Sequence, residues 1–325
     1  MTRRDVVRAI GAVSTAAICG GNALTAGGGT HIDAGRFHSM RRMVELGGRN
    51  IAVARHGEGP AALLIHGWPL NGFHWRKVLP GLAHERTCIV PDLMGLGYSE
   101  VPAGQDLSPA AQAAMIADLL DALGVGQVDI IANDSGTAIA QLLAVDQPGR
   151  IRSMLLTNGD VHTNSPPEAL LPALEAARAG VLDEMFELHL TDAAFASSPM
   201  GLGSICYEDP ASLTREAIAV YFRPLLASPR RRSQAQQYGV AFEPNPLPAI
   251  EARLRTLRVP VRMVWGTGDI HFGIAWAHWL DEALPASRGV RVVEGAKLFF
   301  PEEHADVIVA EALDLWAGTI AQDRA

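Results

Sequence analysis

From Arg41 onward, short apolar runs rich in β-branched residues alternate with longer stretches of helical periodicity, and this order constrains the fold more than any other feature. The runs Ala61 to Ile65, Thr87 to Val90, Val128 to Ala132, Ser153 to Thr157, Val261 to Trp265 and Val290 to Val293 have the length and composition of strands buried on both faces. A hairpin-like pair, Met43 to Leu46 and Asn50 to Arg55, precedes them. Parallel strands need long crossovers, which the helical stretches supply. The pattern predicts an α/β fold, a mostly parallel central sheet flanked by helices.

Between about Thr163 and Arg258 the alternation gives way to helical periodicity broken by many prolines, among them Pro166, Pro167, Pro172, Pro199, Pro224 and Pro248. We therefore expect an inserted helical cap over residues 163–258 that divides the core into 40–162 and 259–325. Residues 1–39 read as a leader and linker: Arg3 and Arg4 precede a short, Ala- and Gly-rich apolar stretch that resembles a twin-arginine export signal. Export to the periplasm or the extracellular space is expected, or a cytoplasmic location if translation starts at Met40 or Met43. The stretch is too short and glycine-rich to span a bilayer, so no stable membrane insertion is expected.

A formal net charge of −8 excludes a basic nucleic-acid surface, and Arg230, Arg231 and Arg232, the one basic run, read as a solvated face. Cys19, Cys88 and Cys206 have no metal-ligand spacing. The remaining partner class is a small-molecule substrate.

Reacting groups of open parallel sheets gather beyond the carboxyl ends of the strands. The polar segments there are His66 to Arg76 (HGWPLNGFHWR), Pro91 to Ser99 (PDLMGLGYS) and Asn133 to Ala144 (NDSGTAIAQLLA). In this order they resemble the α/β-hydrolase fold family, in particular its haloalkane dehalogenase and epoxide hydrolase branches, over about residues 43–162 and 259–316. The resemblance implies a strained strand-to-helix elbow that carries the nucleophile and tolerates only small residues two positions to either side. With Asp134 at the elbow those flanks are Ala132 and Gly136; with Ser135 they are the bulkier Asn133 and Thr137. The Asp134 frame is preferred, and it implies attack on carbon to give an alkyl-enzyme ester. The resemblance also places oxyanion donors at the backbone amides of Trp68 and Ser135, and calls for no cofactor or metal.

Two acids are candidates for orienting a catalytic histidine, Asp269 in WGTGDIHF and Asp160 in NGDVHTN. The histidine itself is missing from its family position, because Gly295 to Phe299 reads GAKLF and Leu298 stands where the base belongs. Leucine cannot move a proton. Of the possible substitutes, His162 beside Asp160 comes first, followed by His271 and His304. Three of the four tyrosines, Tyr207, Tyr221 and Tyr238, fall in the cap, where the epoxide hydrolase branch places its proton donors. The leading expectation is a hydrolase of a small or medium apolar substrate. The alternatives are a serine-type esterase or lactonase using Ser135, and a ligand binder or lyase/cyclase that has lost the histidine.

Overall fold

The computed structural model describes residues 32–323; the expected export signal lies outside them, as does the expected linker up to residue 31. Eight strands form one sheet in the order β1-β2-β4-β3-β5-β6-β7-β8. They are β1 (Arg41–Leu46), β2 (Arg49–His56), β3 (Ala61–Ile65), β4 (Thr87–Pro91), β5 (Val128–Asp134), β6 (Ile151–Gly159), β7 (Val261–Gly266) and β8 (Ser287–Val293). The β1–β2 and β2–β4 pairs are antiparallel, and every later pairing is parallel. All eight apolar runs expected from the sequence are strands, and the central one, β5, is buried at every position.

Helix α1 (Ala34–Met40) precedes the sheet, and α2 (Pro109–Ala122) and α3 (Ser135–Asp146) pack beside it. The start of α2 follows from its sequence: Ser108 accepts a hydrogen bond from the Ala111 amide and Pro109 opens the first turn. Helix α3 is buried from Ser135 through Val145, so a run that is apolar almost all round is what its environment requires.

The segment between β6 and β7 forms α4 (Leu171–Arg178), α5 (Asp183–Thr191), α6 (Arg215–Leu225) and α7 (Pro229–Val240), with shorter turns between them. Helices α8 (Ile274–Ala283) and α9 (Ala305–Asp323) complete the chain. Hydrogen bonds fasten the inserted helices to the core: Asn71 Nδ2 donates to the Val220 carbonyl, and Arg231 donates to the carbonyls of Gly97 and Ser99. The arginine run is thus a solvated face only at Arg230. Arg231 is buried, and Arg232 bridges to Asp183 and Glu187. Among the described residues no helix is long and apolar enough to cross a membrane.

Candidate active site

Strand β5 ends at Asp134, which has φ 55° and ψ −132° before the chain turns into α3. This is a sparsely populated region for a residue with a side chain, and it persists only where the surroundings enforce it. Those surroundings leave no room to either side. A Cβ on Gly136 would come within 2.6 Å of the Ile65 carbonyl oxygen, and one on Gly159 within 2.3 Å of the Asp134 carbonyl oxygen. The bulky flank Asn133 is accommodated by facing away: its Nδ2 donates to Thr157 Oγ1, to the Asn158 carbonyl and to the Leu298 carbonyl.

The Asp134 side chain lies against the loop after β3, where a Cβ on Gly67 would meet its carboxyl oxygen at 2.4 Å. Burial raises the Asp134 carboxyl well above the usual range, and the charges of Asp160 and Asp269 add to this. The backbone amides of Ser135 and Trp68 act in the opposite sense and favour the anion. These are the two amides anticipated as oxyanion donors. The loop that presents Trp68 is held by His66, whose Nε2 accepts the Leu93 amide at 3.0 Å while its Nδ1 bonds the Gly67 carbonyl at 2.9 Å.

Asp134 opens into a cavity of about 130 Å³ with mainly apolar walls. The core contributes Trp68, Ser135, Asp160, His271 and Leu298, and the inserted helices contribute Leu182, Phe186, His189, Phe222 and Tyr238 among others. Burial pushes Asp160 up to about 7, with Ser165 and His271 pulling the other way.

Asp269 sits in the loop after β7. Its Oδ2 accepts from Asn158 Nδ2 at 2.9 Å, and its Oδ1 accepts from the His271 amide at 2.8 Å and lies 3.2 Å from His271 Nδ1. With Nδ1 donating to the carboxylate, Nε2 of His271 is the acceptor of the ring, and it has no hydrogen-bond partner among the described residues. The other imidazole on the cavity wall is committed. His189 bonds the Met185 carbonyl through Nδ1 and takes the Leu202 amide on Nε2, and burial holds it down at about 4.

The structure separates several residues that the sequence grouped. His162 does not face the elbow: it is absent from the cavity wall, stacks on Trp279 at 4.5 Å and pairs through Nε2 with Glu251 at 3.0 Å. His162 has a positive φ of 46°, and the side chains of Asp160 and His162, two residues apart, diverge. His304 pairs with Glu208 at the surface. Tyr207 and Tyr221 are also outside the cavity. Both hydroxyls donate to Glu302 Oε1, at 2.9 and 2.6 Å, in a buried group completed by Arg76 and His74. Tyr238 alone of the three lines the cavity, 3.1 Å from Ser135 Oγ. Leu298 occupies the wall beside Phe299.

Sequence reading passed over Asn158, which holds the Asp269 loop, and the Glu302 group. Asn158 carried a signal, an amide following the apolar run SMLLT at a strand end. Glu302 carried none, since its partners come from three distant segments. Among the described residues no group of three or more His, Cys, Asp or Glu side chains is arranged to hold a metal ion.

A family model described as the alpha/beta hydrolase fold matches residues 60–303. An uncharacterized hydrolase of Saccharomyces cerevisiae is 26% identical over 299 residues, covering 87% of this chain and 97% of its own length. A soluble epoxide hydrolase of a Corynebacterium species is 27% identical over 279 residues, covering 84% of this chain and 95% of its own. The crystal structure of a haloalkane dehalogenase from Bradyrhizobium elkani superposes with a TM-score of 0.72 at 23% identity, covering 87% of this chain and 99% of that one.

Proposed function

The chain belongs to the α/β-hydrolase fold family, and on that premise we propose that it hydrolyses a small apolar substrate through an ester formed on Asp134. The observation that carries this reading is the coincidence of the strained elbow conformation with a carboxylate flanked by the amides of Trp68 and Ser135. An Asp134 oxygen attacks an electrophilic carbon and a leaving group departs. Water then attacks the ester carbonyl carbon, and the amides of Trp68 and Ser135 stabilise the charge that develops on its oxygen.

The water needs a base, and His271 takes that role in place of the missing family histidine. It lies on the cavity wall, its acceptor nitrogen is unengaged, and Asp269 orients the ring and stabilises the imidazolium that forms. A cavity of about 130 Å³ is close to the volume that accepts one benzene-sized molecule, roughly 150 Å³. The epoxide hydrolase and the haloalkane dehalogenase among its relatives fit this chemistry.

The serine reading is weaker on geometry. Ser135 already lies in α3, and its Oγ contacts Tyr238, not an imidazole.

The test is intact-protein mass spectrometry after exposure to styrene oxide, benzyl bromide and 4-nitrophenyl acetate. Asp134→Ala should abolish turnover and every covalent adduct, and Ser135→Ala should retain adduct formation. Loss of both confined to Ser135→Ala would overturn the carboxylate reading in favour of the esterase.

A further inference from the structure

We propose that the cavity selects a substrate whose apolar body carries one ammonium group beside the carbon under attack, with Asp160 as the counter-ion of that ammonium. This narrows the substrate class given above and rests on Asp134 as the attacking carboxylate.

Three acids reach this end of the sheet, and their partners differ. Asp269 is engaged, since Asn158 Nδ2 donates to its Oδ2 and the His271 amide to its Oδ1. Asp134 has the amides of Ser135 and Trp68. Asp160 lines the cavity at 3% exposure, and its Oδ1 is buried with no hydrogen-bond partner among the described residues. It springs from the strand end next to the elbow: Asp134 pairs with Gly159 across β5 and β6, and the Asp160 amide lies 3.4 Å from the Asp134 carbonyl oxygen. A carboxyl with spare acceptor capacity therefore stands beside the nucleophile.

The rest of the wall supplies no compensating charge. Among the described residues no arginine or lysine lines the cavity. Lys297, whose charge acts on Cys206, donates its Nζ to the Ser204 carbonyl at 2.7 Å. The titratable groups around Asp160 are Asp134 on the elbow, Asp269 and His271 on the loop after β7, and Tyr238, His189 and Cys206 across the cavity. Ser165 and His271 favour the Asp160 anion, but burial outweighs them and moves the carboxyl up to about 7. A buried carboxylate without a paired cation is costly. A ligand ammonium relieves that cost by giving the carboxylate an N–H donor and a positive charge together, whereas water gives only the donor. Aromatic rings border the same space: Phe186 lies edge-on to Trp68 at 6.3 Å and stacks on Phe222 at 5.4 Å. Their faces suit an alkyl body and the cation attached to it. A ligand carboxylate would meet like charge.

The ligand charge also acts on the nucleophile. Burial and the Asp160 charge hold the Asp134 carboxyl well above its usual range, against the two amides. An ammonium seated at Asp160 cancels the second influence and favours the Asp134 anion, with the displaced proton passing to solvent. A cationic substrate thereby ionises the group that attacks it, and a neutral one of the same shape does not.

The experiment is titration calorimetry of wild-type protein and Asp160→Asn with isobutylammonium, the isosteric isobutanol, and isobutyrate. Alkylation of Asp134 by 3-bromopropylammonium, 1-bromobutane and benzyl bromide is followed separately by mass spectrometry. At a pH of about 8.5 the wild type should bind the ammonium at least about tenfold more tightly than the alcohol, and Asp160→Asn should reduce this preference to less than about threefold. The bromopropylammonium should alkylate faster than bromobutane by a similar factor in the wild type alone. Because only ionised Asp160 is competent, the binding preference should fall about tenfold between a pH of about 8.5 and about 6. Isobutanol or isobutyrate that binds as tightly as the ammonium, or a preference that survives in Asp160→Asn, overturns the proposal. If Asp160→Asn does not fold, the wild-type profile decides, and a preference that stays flat over this range overturns it. Loss of the preference with Asp134 alkylation intact overturns the counter-ion alone. Wild-type protein that none of the three bromides alkylates overturns the Asp134 reading itself, and with it the cationic substrate.

Discussion

Gly67 lies so close to Asp134 that a Cβ at position 67 would stand 2.3 Å from the Asp134 Cβ and 2.4 Å from its carboxyl oxygen. The absence of a side chain in the loop after β3 is thus what lets the elbow carboxyl lie against the backbone that leads into the Trp68 amide.

Gly67→Ala is expected to displace the carboxyl from the amides. Overpacking of this kind costs about 1–3 kcal/mol of stability, and misplacing a reacting group costs about 100-fold in rate. Alkylation rate and thermal midpoint, measured on the same preparation, check this. An alanine variant that alkylates at the wild-type rate would show that the contact is not needed.

His271→Gln should leave alkylation of Asp134 intact and slow hydrolysis by about 100-fold or more, so that the ester accumulates. His162→Asn should turn over normally, because His162 faces Glu251 and Trp279 and is not on the cavity wall; asparagine also tolerates its positive φ. The two variants are compared by the mass of the enzyme during steady-state turnover. Ester accumulation in the His162 variant alone would reverse the assignment.

His66 supplies a pH dependence. Burial holds its folded-state pKa down at about 4, against an ordinary value of 6.5. A lowered imidazole means that the unfolded chain binds the proton more readily, so the contribution is fully present above about 6.5 and is lost as pH falls towards about 4. The difference amounts to roughly 3 kcal/mol at most. His74 and His189, also lowered by burial, act with the same sign, while the raised carboxyls of Asp134 and Asp160 act against it. Urea midpoints at pH 7.5 and 4.5 should show a smaller acid loss in His66→Gln than in the wild type. An unchanged difference between the two pH values would rule out this origin.

The tyrosines should divide by function. Tyr207→Phe and Tyr221→Phe each remove a hydroxyl from Glu302, whose carboxyl burial pushes up but Arg76, His74 and the Tyr221 hydroxyl together hold down at about 2. Each should lower stability by about 1–3 kcal/mol with kcat unchanged. Chemical denaturation and steady-state kinetics distinguish this from a direct role, which a fall in kcat at wild-type stability would reveal.

The fold was legible in the sequence because its signals are local: strand-length apolar runs, a proline-broken helical insertion between two of them, and polar residues at strand ends. The elbow was legible for the same reason, since the small residues Ala132 and Gly136 and the acid between them occupy one short segment, and the positive φ falls on Asp134. Which side chains share the cavity was a different kind of question. Asp160 and His162 are two residues apart, yet one lines the cavity and the other, with its positive φ, lies against Glu251. Tyr207, Tyr221 and Tyr238 look alike in sequence, but Glu302, from the far end of the chain, draws two of them away. Side-chain direction at a turn and pairing across distant segments are set by packing and charge in three dimensions, and for these residues only the tertiary structure decided them.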